Sequence, residues 1–260
     1  MSGTPILRTR GLLKRFGNLT VTDDVSFDLA LGERRAVIGP NGAGKTSLVG
    51  LLSGTLRCDA GTIELDGAEI THATPAARVR RGLVRTFQIT SIFRDFSVLE
   101  NLFLARSERA GTSRGLWRSA ASRREVIEAC EAILVRLGLA DDRDRTVSEI
   151  SYGKQRLIEV GLALCLDPRV LVLDEPAAGL PHDEAERLLA IIAELPNDLA
   201  ILMIEHDMEI VKRFASRITV LVRGRELMTG TPDAVLSSDE VREVYLGHVE
   251  ALDEEGALDA

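Results

Sequence analysis

Long apolar runs are missing from this 260-residue sequence. No window approaches the roughly 18–20 apolar residues that span a bilayer, so no segment is expected to cross one. The longest candidate, 157–166, is too short and carries Glu159. No apolar stretch follows the first charges, and no signal peptide is expected. Cysteine is scarce: Cys58, Cys130 and Cys165 form no C-x-x-C pair, which argues against a zinc site or a disulfide framework. They read as buried, reduced thiols. An excess of basic residues is also missing. The net charge of -8 argues against a broad nucleic-acid footprint. Arginine runs at 78–85 and 114–124 read as solvated faces.

What is present is the composition of an ordinary globular protein, 45% hydrophobic and 28% charged. The length suits one large α/β domain with a subordinate lobe. Short strands are expected at 6–8, 12–16, 25–29, 35–38 and 62–65, with a helix over 45–52. The stretch 101–138 is rich in Arg, Ala, Glu and Leu and reads as a helical lobe. A helix over 151–166 follows, then strands at 170–173, 200–204 and 218–222 alternating with helices at 183–195 and 207–215. Such alternation implies a mainly parallel sheet covered on both faces. The acidic end reads as a frayed tail.

Gly39-Pro40-Asn41-Gly42-Ala43-Gly44-Lys45-Thr46 fits G-x-x-x-x-G-K-[ST], with Ser47 beyond it. The glycines let backbone N–H groups turn inward, and the following helix aims its positive end at phosphates. Lys45 is placed to reach β- and γ-phosphates, and the Thr46 hydroxyl to ligate Mg²⁺. Further on, the apolar strand 170–173 ends in Asp174 and Glu175. Asp174 suits Mg²⁺, which prefers oxygen ligands and keeps most of its waters. Glu175 suits the base that accepts a proton from attacking water. His206 follows strand 200–204, where residues line the ligand crevice of an α/β sheet and can meet the γ-phosphate.

In this order the motifs resemble those of the nucleotide-binding domains of ATP-binding cassette (ABC) transporters, from Leu12 to about Gly247. Arg85-Thr86-Phe87-Gln88 is similar to the family's glutamine loop, and the resemblance implies that Gln88 touches Mg²⁺ or the attacking water. Ser151-Tyr152-Gly153-Lys154-Gln155 stands where the family carries its L-S-G-G-Q signature. Ile150 stands for the leucine and Tyr152 for the first glycine, and Lys154 is an additional variation before Gln155, while Ser151 and Gly153 remain. Ala178-Gly179-Leu180-Pro181-His182-Asp183 occupies the D-loop, with Pro181 and His182 departing from expectation. Phe16 matches the aromatic that stacks on adenine.

The resemblance implies a P-loop NTPase core with a mainly parallel sheet and an N-terminal antiparallel β subdomain, over 5–88 and 167–235. It implies an inserted α-helical subdomain over 89–166 and a tail at 248–260. It further implies ATP and Mg²⁺ as ligands, and hydrolysis in a head-to-tail dimer with a second ABC ATPase subunit. Transmembrane permease subunits and a solute-binding protein would complete the system, at the cytoplasmic face of the membrane. Tyr152-Gly153 and the ending Tyr245-Leu246-Gly247 look like branched-chain amino acid uptake ATPases, the longer of two paired ones. Amide or urea importers and lipopolysaccharide exporters share much of the pattern; a soluble ABC ATPase outside transport is the remaining alternative. Phe93, Phe96, Val98 and Leu99 are candidate residues for docking a membrane subunit.

Overall fold

The computed structural model describes residues 4–86, 92–109 and 120–244. The chain divides into two compact units, one formed by the residues up to Pro75 and from Asn197 onward, the other by Ala76–Pro196. The second unit extends beyond the expected helical segment 89–166 and takes in two strands and two further helices.

The first unit opens with β1 (Leu7–Phe16), β2 (Leu19–Val25) and β3 (Asp28–Leu29). Next come β4 (Arg34–Ile38), α1 (Lys45–Ser53), β5 (Ala60–Leu65) and β6 (Ala68–Glu69). Antiparallel β2-β1-β5-β6, with β3 beside β1, make one sheet. The two strands expected at 6–8 and 12–16 are one, because β1 shifts register between Arg10 and Leu13 and continues. The strand expected at 25–29 is likewise divided: β2 ends at Val25, and only Asp28–Leu29 pairs again with β1.

The same unit contains β9 (Ala200–Ile204), α7 (Met208–Phe214), β10 (Arg217–Val222), β11 (Arg225–Gly230) and α8 (Pro232–Leu236). β10, β4 and β9 pair in parallel, and β11 adds an antiparallel edge. Every residue of β9 is buried, as a strand covered on both faces requires. β11 is not among the strands expected from the sequence, because its residues are half-exposed and not strongly apolar.

The second unit holds α2 (Pro75–Arg80), β7 (Leu83–Arg85), α3 (Val98–Arg109) and α4 (Ala120–Arg136). It continues with α5 (Tyr152–Leu164), β8 (Val170–Asp174) and α6 (His182–Ala193). β7 and β8 pair in parallel, Arg85 opposite Val172. Reciprocal bonds close the start of α3: Glu100 N–H donates to Ser97 Oγ at 3.1 Å and Ser97 N–H to Glu100 Oε2 at 2.8 Å. This is a capping box, satisfying two otherwise orphaned donors. Leu102, Leu134, Leu137 and Ile158 are fully buried, and Cys130 and Cys165 join them as apolar filling. α4 and α5 meet where Gly161 leaves room for Leu137, whose Cδ1 would lie 3.0 Å from a Cβ there.

The arginine run at 78–85 is not simply a solvated face. Arg78 is buried and Arg85 is held in an ion pair.

Candidate nucleotide site

β4 delivers the chain into the loop 39–44 at its carboxyl end, and α1 leaves it at Lys45. Gly44 is the residue before the helix, in the left-handed region at φ 99°. A Cβ there would stand 2.3 Å from the carbonyl oxygen of Val21. A Cβ at Gly39 would stand 2.2 Å from the carbonyl oxygen of Leu221. The loop is therefore pressed against two other backbones and can be built only from glycine at these points. Ala43 is buried, its N–H bonding Pro40 and its carbonyl accepting from Gly224 N–H. Asn41, Gly42 and Thr46 are exposed or half-buried, with Ser47 beside them. Lys45 folds back across the loop and donates to the carbonyls of Gly39 at 2.6 Å and Pro40 at 3.0 Å.

This loop-and-helix start is a cradle of backbone N–H groups with a fixed cation beside it, and it fits a nucleotide polyphosphate. In the same unit Phe16, at the end of β1, is 53% exposed, a large aromatic face offered to solvent. Lys14 Nζ lies 5.3 Å from its ring centroid. His206 follows β9 with an exposed imidazole, its backbone N–H donating to Glu205 Oε2 at 3.2 Å. Asp207 then caps α7 by accepting from Glu209 and Ile210 N–H, which fixes the turn that carries the histidine.

The acidic residues singled out in the sequence lie in the second unit. β8 is buried along its whole length and ends at Asp174. Arg85 Nη2 approaches Asp174 Oδ2 to 2.6 Å, with the carboxylate side chain only 2% exposed. Glu175 follows at φ 47°, a left-handed backbone that a residue with a side chain adopts only under strain. The turn is closed by Ala178 N–H donating to Glu175 O at 3.1 Å. Among the described residues no cluster of three His, Cys, Asp or Glu side chains could hold a metal.

Ser151 caps α5, its Oγ accepting from Lys154 N–H at 3.5 Å. Gly153, in the first turn, faces Glu184 of α6: a Cβ there would meet Glu184 Oε2 at 2.2 Å. Gln155 turns inward, donating to Ile150 O at 2.8 Å and Val147 O at 3.3 Å. Its amide thus holds the preceding 3-10 turn, a use that the motif alone does not reveal. The departure at Lys154 has a structural partner too, since its ammonium bonds buried Asp142. The departure at Tyr152 sets an aromatic ring beside the D-loop, where a Cβ on Gly179 would lie 3.8 Å from the ring. Gln88 falls outside the described residues, as do Tyr245, Leu246 and Gly247.

A cavity of about 320 Å³ opens in this unit between the end of β7 and helices α3 and α5, its walls including Val84, Phe93, Leu104 and Leu162. Asn101 braces its rim: its Oδ1 accepts from Phe93 N–H at 2.8 Å and its Nδ2 donates to Phe93 O at 3.0 Å. Phe93 and Phe96 stack at 5.4 Å between centroids and are exposed. Val98, grouped with them on sequence, is instead fully buried in the lobe. Glu159 also lines the cavity; burial pushes its carboxyl up, only partly offset by the Arg156 guanidinium.

Comparison with known proteins agrees with this geometry. The ABC transporter family model matches residues 22–178. The chain is 38% identical over 250 residues to the high-affinity branched-chain amino acid transport ATP-binding protein LivG of Salmonella typhimurium, covering 94% of this chain and 98% of that one. It is 37% identical over the same length to the corresponding protein BraF of Pseudomonas aeruginosa, again covering 94% and 98%. Among solved structures, an ATP-binding cassette of an ABC transporter in its ADP conformation superposes with a TM-score of 0.82 at 31% identity, covering 94% of this chain and 100% of that one. Phosphate loop, acidic strand tip and family match together place this chain in the ABC transporter family, as an ATP-hydrolysing cassette with the α/β P-loop fold.

Proposed function

We propose that this ATPase powers the import of branched-chain or closely related amino acids through a membrane permease. The observation that carries the reading is its likeness, over nearly the whole length of both chains, to ATP-binding proteins named for that transport. In this reading translocation belongs to separate permease subunits; no described helix of this chain is long and apolar enough to cross a membrane. The cavity rimmed by Phe93 and Leu104 is the surface on which such a subunit would dock, since both side chains are large, apolar and exposed.

In this reading Mg-ATP lies between two copies, or between this chain and a paired ATPase. Gly39, Pro40, Asn41, Gly42, Ala43, Gly44, Lys45, Thr46 and Ser47 of one subunit hold the phosphates, and Phe16 stacks on the base. Ser151 and Gly153 of the other subunit close over the γ-phosphate. When bound, Mg²⁺ supplies charge neutralisation of the phosphates, with Thr46, Asp174 and Gln88 around it. Glu175 accepts the proton of the attacking water, and His206 contacts the γ-phosphate. A solute-binding protein would deliver the substrate on the far side of the membrane.

Replacing the chromosomal copy by Glu175→Gln tests the transport role. Uptake of radiolabelled leucine, isoleucine and valine is expected to fall to background while the variant accumulates normally. Undiminished uptake of all three would overturn the assignment of substrate.

A further inference from the structure

Arg85 has no part in any of the chemical roles above, yet it makes the shortest side-chain contact to Asp174 in the described structure, 2.6 Å from Nη2 to Oδ2. The register explains how it gets there. Arg85 is opposite Val172 on the parallel neighbour β8, so both side chains leave the same face of the pair. Asp174, two residues beyond Val172, shares that face. The step after Arg85 is fixed as well, because Thr86 N–H donates to Val172 O at 2.9 Å. Backbone pairing therefore delivers the guanidinium to the carboxylate, and the contact does not rely on a wandering surface side chain.

The carboxylate needs that partner. Its side chain is 2% exposed, and a buried charge is tolerated only when paired. Among the described hydrogen bonds, Arg85 is the one side-chain donor to it. Oδ2 is taken by the guanidinium, which leaves Oδ1 to serve another cation or water bound to one. Outer groups that orient a metal-binding side chain in this way typically contribute a factor of about 10–100 in metal affinity.

We propose that Arg85 is a positioning residue for the divalent cation of this ATPase: it locks Asp174 in the orientation from which the carboxylate serves Mg²⁺. The inference rests on the reading of Asp174 as the magnesium carboxylate. It assigns the role to a residue of β7, outside the phosphate loop, the acidic pair and the signature helix.

The test uses the full chain and a fluorescent ATP analogue, titrated with Mg²⁺ and, in parallel, without divalent cation. Arg85→Ala is expected to leave cation-free nucleotide affinity within about twofold, and to raise the Mg²⁺ concentration for half-maximal effect about tenfold or more. Arg85→Lys, which restores the charge without the planar fork, is expected to recover part of the shift. A merely structural role would lower thermal stability and both affinities together, with no selective change in Mg²⁺ dependence. Should Arg85→Ala fail to fold, Arg85→Gln, which keeps a hydrogen-bond donor, gives the same comparison. Asp174→Asn separates the two levels of the argument. If it leaves the Mg²⁺ dependence unchanged, the assignment of Asp174 falls; if it alters the dependence and Arg85→Ala does not, the role of Arg85 is overturned.

Discussion

Gly44 and Val21 touch through backbone: the position a Cβ would take on Gly44 is 2.3 Å from the Val21 carbonyl oxygen. Unlike a clash with the tip of a flexible side chain, this one cannot be relieved without moving β2 or opening the loop. The φ of 99° adds strain for any side-chain-bearing residue. Gly44→Ala should therefore cost about 2 kcal/mol or more. It should also abolish measurable ATP binding, because the helix start carries the N–H groups proposed to face the phosphates. Thermal unfolding and equilibrium binding of a labelled nucleotide check both parts. Wild-type binding in that variant would show that the loop relaxes at little cost.

Glu175, the proposed base, sits on a backbone that disfavours a side chain. At φ 47° a glycine would remove the strain, whereas glutamate retains it. Glu175→Gly is thus expected to raise stability, or leave it level, within about 1 kcal/mol, since the gain at φ is set against the greater chain entropy of glycine. The same substitution should lower ATP hydrolysis about 10²-fold or more, as loss of a general base does. Glu175→Gln should reproduce the loss of hydrolysis without changing stability. Phosphate release with the ATPase assembled in its working complex is the measurement. Retained turnover in both variants would remove Glu175 as the base.

How far the sequence reaches is visible in these residues. The phosphate loop and the acidic strand tip are readable because their chemistry demands fixed residue types at fixed spacing within one local segment. The buried strands of the parallel sheet are readable for a similar reason, being continuous apolar runs. Arg85 is not, because its role depends on which strand lies beside β8 and in what register. Gln155 illustrates another limit: its place in the signature invites a nucleotide contact, while its amide holds the preceding turn. The short strands β7 and β11 escaped notice because three residues carry no periodicity and half-exposed ones dilute it. Val98 and Phe93 look alike in sequence, and only packing separates a core residue from a rim residue.

Ser151 allows capping and dimer closure to be measured apart. Its cap bond to Lys154 N–H is long, at 3.5 Å, so Ser151→Ala should cost only about 0.5 kcal/mol, the low end for a cap. Ser151→Arg adds bulk and charge at the helix end that is proposed to close over the partner's ATP. In a Glu175→Gln background, sedimentation with ATP should show dimers for the unaltered Ser151 and for Ser151→Ala, and monomers for Ser151→Arg. Dimers of all three would count against a nucleotide site completed by this helix.

Asp142 supplies a pH dependence that the nucleotide motifs do not. Burial alone would push its carboxyl up, but the Lys154 ammonium at 2.5 Å and the Arg145 guanidinium at 2.9 Å outweigh it and hold the carboxyl below its usual range. A folded-state value below the unfolded one contributes stability that is present above the unfolded pKa of about 3.9, and lost as pH falls through the folded value. Asp142→Asn should therefore be less stable than wild type by about 1.5–3 kcal/mol near pH 7, the range for hydrogen bonds to charged groups. The difference should hold level from about pH 5 to 8 and shrink below about pH 4, as the wild-type carboxyl protonates. Lys154→Met should remove part of the same pH dependence, and its effect should not add to that of Asp142→Asn, because the two side chains share one interaction. Denaturant unfolding at a series of pH values measures all three variants. A difference that persists undiminished to pH ~3 would mean that the Asp142 charge is not what holds the short 3-10 turn Ala140–Asp142 to α5.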